Sequence, residues 1–218
     1  MPDKDAMRLG AIILAGGRST RMGRPKESLP FEGNTLLGRT GATLLECCAP
    51  VVVVARDATQ ELPLLPAGIG RTQDEVSERG PLAGLASGLA WLRGHGLDPS
   101  DAPMVTACDH PFLSAAAVRW LAERLAGHDA VLPLVGGYLQ PLCAIYRLAV
   151  LPTVQRLLLV GTSTPRSLAT EVSTRLVEAN ELRTFDPALR FLQNVNTPDD
   201  FARAEAHRRD RGEAEPPR

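Results

Sequence analysis

Short apolar runs alternate with amphipathic stretches along most of the chain. The runs at residues 9–15 and 51–55 are continuously apolar, which is typical of parallel strands buried on both faces of a sheet. We predict strands at 9–15, 51–55, 103–108, 130–135 and 138–147, a short one before Gln73 and a last one near 191–195. Helical spacing of apolar residues predicts helices at 35–48, 81–93, 114–126, 151–159 and 165–171, and from Thr197 onward. Strands that alternate with helices predict an α/β protein whose parallel sheet is covered on both faces.

The composition of the chain is that of an ordinary folded protein. Its 218 residues are 44% hydrophobic and 22% charged, which excludes a wholly disordered chain. At roughly 150 residues per domain, the length favours a single domain, predicted at 1–206, with a charged, flexible tail at 207–218. Lys+Arg 24 against Asp+Glu 25 leaves a net charge of −1, so we expect no nucleic-acid partner and no membrane-surface binding.

Cysteine and histidine are few and scattered. The four cysteines form no Cys-x-x-Cys motif and the four histidines form no ligand pair, so no zinc site is predicted. No apolar run reaches the about 18 residues that span a membrane, and the charged N-terminus lacks the apolar core of a signal peptide. We therefore expect a soluble cytoplasmic protein.

The glycine-rich segment after the first predicted strand, residues 14–26, carries the strongest indication of chemistry. It is not a P-loop, because five residues separate Gly17 from Gly23 and Arg24 follows, and it lacks the Gly-x-Gly-x-x-Gly fingerprint of dinucleotide-binding domains. Glycines still let backbone N–H groups approach a phosphate. Four cations lie within nine residues with no acid among them: Arg18, Arg21, Arg24 and Lys26. We interpret the segment as a polyphosphate cradle; the alternative is a glycine-rich turn with solvated arginines.

This segment spells Leu-Ala-Gly-Gly-x3-Arg-Met-Gly-x-x-Lys and resembles the signature loop of sugar-nucleotide and cofactor nucleotidyltransferases. The resemblance implies a three-layer Rossmann-like nucleotidyltransferase fold, α/β, with a mostly parallel central sheet and helices on both faces. It also implies that the loop wraps a nucleoside triphosphate, with Arg21 and Lys26 as the catalytic cations that neutralise the departing pyrophosphate. The residues of the loop implied to bind nucleotide are Leu14, Ala15, Gly16, Gly17 and Lys26. Pro25 stands where the family more often has Asp, so no carboxylate role transfers there.

Two downstream segments fit the nucleotide site of the same family. Asp74 follows a short strand-like stretch, and the resemblance places it at the nucleotide; the alternative is an ordinary loop acid. Gly80 and Pro81 open a predicted helix, where glycine permits close backbone approach and proline suits the first turn. The resemblance makes both nucleotide-binding residues, while the alternative is a plain helix N-terminus packed on the sheet.

Three further residues correspond to the metal and acceptor sites. Asp109 closes the strand at 103–108, a natural position for a Mg²⁺ ligand, and the resemblance assigns it to the metal and the nucleotide. Asn196 is implied near the metal or the triphosphate, and Gln140 near the acceptor. For Asn196 the alternative is an ordinary cap between a strand and a helix.

Taken in order, Leu-Ala-Gly-Gly, Gly-Pro-Leu-Ala-Gly and Asn-Val-Asn-Thr-Pro resemble the molybdenum cofactor guanylyltransferase family. That resemblance implies transfer of GMP from GTP to molybdopterin with Mg²⁺ as cofactor, and molybdenum enzymes or cofactor-biosynthesis proteins as partners. The Leu-Ala-Gly-Gly spelling that ends at Gly17 favours guanine, since cytidylyl-transferring relatives more often read Leu-Ala-Ala-Gly. Two alternatives stay open: a nucleotidyltransferase for another acceptor or base, such as a sugar phosphate, phospholactate or a cytidylyl-accepting pterin, and a non-catalytic nucleotide-binding module that delivers cofactor. A dehydrogenase-type domain is excluded by the missing fingerprint.

Overall fold

Strands and helices alternate through the residues that the structure, a computed structural model, describes: 7–17, 22–74 and 80–209. The strands are β1 (Ala11–Leu14), β2 (Pro30–Phe31), β3 (Asn34–Thr35), β4 (Val51–Ala55), β5 (Ile69–Gln73), β6 (Met104–Ala107), β7 (Ala130–Val135), β8 (Tyr138–Leu139), β9 (Cys143–Tyr146) and β10 (Thr174–Glu178). The helices are α1 (Leu36–Leu45), α2 (Pro81–Gly94), α3 (Ala115–Ala122), α4 (Leu151–Leu159), α5 (Pro165–Glu171), α6 (Ala179–Phe185) and α7 (Pro198–Arg209). Within these ranges no helix combines the length and the apolar character that a membrane crossing requires.

The central sheet is mostly parallel. Its strand order is β10-β7-β9-β6-β1-β4-β5, and β8 pairs with β7 off this path. Strand β1 runs parallel to β4 and to β6, β4 is parallel to β5, and β7 is parallel to β10. Strand β9 is antiparallel to both of its neighbours. The predicted α/β class is confirmed, with β9 as a reversed strand within the sheet.

Neighbouring residues of the central strands point to opposite faces of the sheet, as the two-residue period of a strand requires. Ile12 packs with α2, α4 and α5, whereas Ile13 packs with α1, α3 and α6, and neither side chain is exposed to solvent. The fold therefore has three layers, with one apolar core on each side of the sheet. A third, smaller cluster joins the β2–β3 hairpin to α7 and includes Phe31, Val195 and Ala204.

The helix starts follow local sequence chemistry. The hydroxyl of Ser114, the predicted N-cap, accepts a hydrogen bond from the Ala117 N–H at 3.2 Å. At α7, the Thr197 hydroxyl accepts from the Asp200 N–H at 3.1 Å, while the Asp200 carboxylate accepts from the Thr197 N–H at 2.8 Å. This reciprocal pair is a capping box, which matches the Thr-Pro-Asp-Asp pattern. Helix α7 continues to Arg209 and includes the first residues of the predicted tail.

The structure departs from the predictions in the last third of the chain. The strand predicted near 191–195 is wrong: Arg190–Leu192 form a single 3-10 turn, and no strand follows it in the described part of the chain, which ends at Arg209. Its three apolar residues pack into different clusters, Phe191 and Leu192 on one face of the sheet and Val195 beside α7, so the segment does not pair with a strand. Strand β10 and helix α6 were not predicted, and the predicted strand 138–147 is two strands, β8 and β9.

Candidate functional site

A cavity of about 710 Å³ opens at the carboxyl ends of β1, β4 and β6. The chain leaves β1 toward β4 and β5 and later returns to the other side of β1 as β6. Such a reversal of strand order leaves a crevice outside the carboxyl ends, where open α/β sheets bind their ligands. The volume lies in the usual range of small-molecule sites.

Most of the residues singled out in the sequence line this one cavity. Those along its wall are Leu14, Ala15, Gly16, Gly17, Lys26, Asp74, Gly80, Pro81, Asp109 and Asn196. Gln140 does not line it; its backbone N–H donates to the Pro133 carbonyl at 2.9 Å in the turn after β8. Arg21 lies outside the described residues. The binding and catalytic roles of these side chains stay predictions, while their convergence is a fact of the fold.

Two glycines let the backbone close around the cavity. A Cβ on Gly16 would come within 3.1 Å of the Arg56 Cα, so glycine lets the loop after β1 pack on the end of β4 without a shift of the backbone. Gly80 has a φ of +76°, and a Cβ there would lie 2.8 Å from the Ser163 carbonyl oxygen. At both positions the close neighbour is the backbone of the protein itself, and the approach of these glycines to a nucleotide stays a prediction.

Lys26 brings together three segments that are distant in the sequence. Its ammonium donates a hydrogen bond to Asp109 Oδ2 at 3.1 Å and another to the side-chain oxygen of Asn196. The Val195 N–H donates to the Asp109 carbonyl at 2.9 Å, which fixes Asn196 beside the end of β6. Both charged side chains are mostly buried, with 15% and 12% exposed. Lys26 therefore places a positive charge on the cavity wall next to a carboxylate.

Asp109 carries an unused acceptor. Its Oδ1 is buried, and no described residue donates a hydrogen bond to it. His110 Nδ1 lies 3.4 Å away, but burial lowers the pKa of that imidazole despite the opposing effect of Asp109, so the ring is neutral near pH 7. A buried carboxylate oxygen without a donor is suited to a cation. Among residues 7–17, 22–74 and 80–209, no three acidic, histidine or cysteine side chains are placed to hold a metal ion, so a cation here would complete its shell with water and substrate phosphate oxygens.

Sequence reasoning missed a buried polar network beneath the loop. Glu27 and Gln60 are both buried, and the Gln60 amide nitrogen donates to Glu27 Oε1 at 2.7 Å and to the Ala15 carbonyl at 2.9 Å. The Gln60 oxygen accepts from the Arg56 N–H at 2.6 Å. Glu27 and Arg56 also line the cavity. No motif marks Gln60, which lies in an irregular segment, and only the contiguity of Glu27 with Lys26 offered a hint.

Comparisons with known proteins match nearly the whole chain to one family of nucleotidyltransferases. The MobA-like NTP transferase domain family matches residues 11–175. A probable molybdenum cofactor guanylyltransferase of Methanosarcina mazei is 32% identical over 211 residues, 92% of each chain. The molybdenum cofactor guanylyltransferase of Rhodobacter capsulatus is 34% identical over 206 residues, covering 91% of this chain and 96% of that protein.

Solved structures show the same fold. Molybdopterin-guanine dinucleotide biosynthesis protein A of Archaeoglobus fulgidus superposes with a TM-score of 0.71 at 26% identity, over 94% of this chain and all of that one. The 2-C-methyl-D-erythritol 4-phosphate cytidylyltransferase of Thermus thermophilus gives a TM-score of 0.63 at 21% identity, over 93% of this chain and 100% of that one. The second similarity concerns the fold alone.

Proposed function

The chain belongs to the MobA-like NTP transferase family, and we propose from that premise that it transfers GMP from GTP to the phosphate of molybdopterin. The observation that carries this proposal is the length and consistency of the similarity: guanylyltransferases at 30–34% identity match about nine-tenths of the chain. Ten of the residues that the sequence motifs single out line the cavity. The product is molybdopterin guanine dinucleotide, and pyrophosphate is released.

The reaction needs positioning and charge neutralisation more than proton transfer. A phosphate oxygen of molybdopterin attacks the α-phosphorus of GTP, forming one O–P bond as the bond between the α-phosphorus and the bridging oxygen breaks. Because the nucleophile is already an anion, a general base is not required. The barrier arises from bringing two anions together and from the charge that develops on pyrophosphate, which oriented cations stabilise.

In this scheme Lys26 neutralises the leaving pyrophosphate together with Arg21. The position of Lys26 supports this role, because the residue lines the cavity on a short turn that directly follows the glycine loop. The role of Arg21 rests on its place in the sequence motif. Backbone N–H groups of Gly16 and Gly17 are available to the phosphates, since both residues line the cavity without side chains.

We propose that Mg²⁺ binds beside Asp109, because this carboxylate has a buried oxygen that accepts no hydrogen bond from a described residue. Asp109 Oδ1, buried and without a hydrogen-bond donor among the described residues, and the side-chain oxygen of Asn196 would hold it. When bound, such an ion supplies charge neutralisation and Lewis acidity to phosphate oxygens. Asp109 would keep the Lys26 ammonium close to the same phosphates.

The acceptor end of the site is less defined by this chain. We propose that Gln140 lies near molybdopterin because the turn that carries it continues to Leu142, which lines the cavity. Molybdenum enzymes or cofactor-biosynthesis proteins as partners, and a cytoplasmic location, stay predictions.

An assay of pyrophosphate release with each nucleoside triphosphate, with and without molybdopterin, tests the proposed function. We expect release with GTP only when molybdopterin is present. Strict use of CTP would contradict the assignment of guanine. Mg²⁺-dependent GTP binding without any product would instead favour a non-catalytic module that delivers the cofactor.

A further inference from the structure

Gln60 uses its side-chain amide to join three segments around the cavity. The amide nitrogen donates to the Ala15 carbonyl, where the glycine loop leaves β1, and to Glu27, on the turn that carries Lys26. The amide oxygen accepts from the backbone N–H of Arg56, directly after β4. The Gln60 carbonyl in turn accepts from the Arg71 guanidinium of β5 at 2.7 Å, so this residue is held by its main chain as well.

The chemistry of the partners leaves the amide one orientation. The Ala15 carbonyl and an ionised Glu27 can only accept, and the Arg56 N–H can only donate. A rotated amide would place its oxygen against two acceptors and its nitrogen against a donor, each a buried mismatch that costs free energy. Buried networks in which each of these contacts is satisfied hold one arrangement of the surrounding backbone. The amide therefore fixes the distance between the loop and the Lys26 turn.

We infer that Gln60 is a positioning residue for nucleotide transfer, acting through Ala15 on the glycine loop and through Glu27 on Lys26. This inference rests on the proposed function. Two apolar side chains in place of Gln60 and Glu27 would fill the same volume without a carboxylate in the cavity wall. Buried polar pairs often add little stability, so stability alone does not explain this pair. The feature that an apolar pair would lack is direction: two donors aimed at two fixed acceptors. Gly16 adds a second restraint on the loop, because a Cβ at this position would lie 3.1 Å from the Arg56 Cα, so the loop packs closely on the residue that donates to the Gln60 amide.

The substitution Gln60→Glu tests the inference with little change in shape. It keeps the acceptor for the Arg56 N–H but removes the donors to Ala15 and Glu27 and places two carboxylates together. Since misplacement of reacting groups by about 1 Å can cost on the order of 100-fold in rate, we expect kcat to fall roughly 10- to 100-fold and the Kd for GTP, measured without acceptor, to rise. The Kd for molybdopterin should not change.

A double variant and a matched control separate positioning from general stability. In Glu27→Gln/Gln60→Glu the hydrogen bond between positions 27 and 60 returns with donor and acceptor exchanged, so part of the lost kcat should be recovered. Gln155→Glu makes the same chemical change at an exposed position of α4 and should behave as wild type. All variants are assayed well below their Tm. If Gln60→Glu does not fold, Gln60→Met is used with the same expectation.

Wild-type kcat and GTP affinity in folded Gln60→Glu, or a loss that the double variant does not reduce, would overturn the inference. A lowered Tm with normal kcat would also overturn it, because that result describes a purely structural residue. The wild-type reaction keeps the two claims apart. Failure of the wild type to form product contradicts the proposed function, whereas normal wild-type product with no effect of Gln60→Glu contradicts only the positioning role.

Discussion

Lys26, Asp109 and Asn196 meet at one point of the cavity wall. The three residues span 170 positions of sequence, and they meet because a turn after β1, the end of β6 and the segment before α7 converge at the carboxyl edge of the sheet. Their arrangement places one cation and one partly unsatisfied carboxylate on the same wall. A polyphosphate and a divalent cation are the ligands that match this pair of charges.

Lys26→Ala should reduce kcat roughly 10²- to 10³-fold, because removal of one preorganised electrostatic donor typically costs that much. The measurement is initial-rate product formation at saturating GTP and molybdopterin. Arg93→Ala removes a cation at an exposed position of α2 and should leave the rate unchanged. Wild-type turnover in Lys26→Ala would remove this residue from the mechanism.

Asp109→Asn should raise the Mg²⁺ concentration needed for half-maximal activity by about 10-fold or more. The amide keeps the shape and can still accept from Lys26, but it loses the charge that a hard cation requires. A Mg²⁺ titration of the initial rate gives the result, with Asp199→Asn at an exposed position as the control. An unchanged Mg²⁺ dependence would show that Asp109 is not the metal ligand.

At the scale of elements, helix α2 packs on β1 through glycine. A Cβ on Gly88 would lie 2.6 Å from the Cγ2 atom of Ile12, whereas a Cβ on Gly94, at the end of the same helix, would meet nothing within 4 Å. The close approach holds the N-terminus of α2, with Gly80 and Pro81, against the cavity. A larger residue at position 88 would therefore push helix α2, which forms one side of the cavity, away from β1.

Gly88→Ala should destabilise the protein by about 1–3 kcal/mol, the usual cost of overpacking a core. Gly94→Ala should be neutral or stabilising by up to about 1 kcal/mol, since alanine favours the helix and has open space. Urea unfolding of the two variants checks the prediction. Equal free energies of unfolding for both would mean that α2 does not pack tightly on β1.

A second element-scale contact ties Arg8, in the segment that leads into β1, to Asp101 in the loop before β6. Burial raises the pKa of Asp101, but hydrogen bonds from Arg8 and from the backbone N–H of Asp98 outweigh it and leave the pKa below its ordinary value. Because the pKa is lower in the folded than in the unfolded chain, ionised Asp101 stabilises the fold above about pH 4. That stabilisation is lost as the pH falls through the folded-state pKa.

The Tm of the wild type should therefore fall more steeply below pH 4 than that of Asp101→Asn, whose amide does not titrate. Thermal unfolding between pH 7 and pH 3 measures the difference. Asp98→Asn, at an exposed position, should keep the wild-type pH dependence. Parallel Tm curves for the wild type and Asp101→Asn would contradict the argument.

Elements that bury apolar residues on a regular period were predictable, and the others were not. The all-buried strand β4 was predicted with its observed bounds. Strand β10 (Thr174–Glu178) was missed because it is an edge strand that carries charged side chains. Only one of its five residues, Val177, is buried, so it shows no regular apolar period. Conversely, Phe191 and Val195 suggested a strand, yet tertiary packing separates them into two clusters.

At the scale of the whole molecule, the candidate site also has one part that could be predicted from the sequence and one part that could not. The part of the cavity wall that includes Gly16, Lys26 and Asp109 was predictable, because these residues belong to local motifs that follow predicted strands. Gln60 and Glu27 were not predictable, because their role depends on which backbone segments meet in the fold. The acceptor end stays the least defined, since Gln140 lies outside the cavity wall.

The central claim is tested most directly by incubating the protein with molybdopterin, Mg²⁺ and GTP labelled at the α-phosphate, and by following the label. The account predicts that the label appears in molybdopterin guanine dinucleotide with one pyrophosphate released per transfer, and that label at the γ-phosphate appears only in pyrophosphate. Absence of α-label from the molybdopterin product, or its efficient incorporation from labelled CTP and not from GTP, would contradict it.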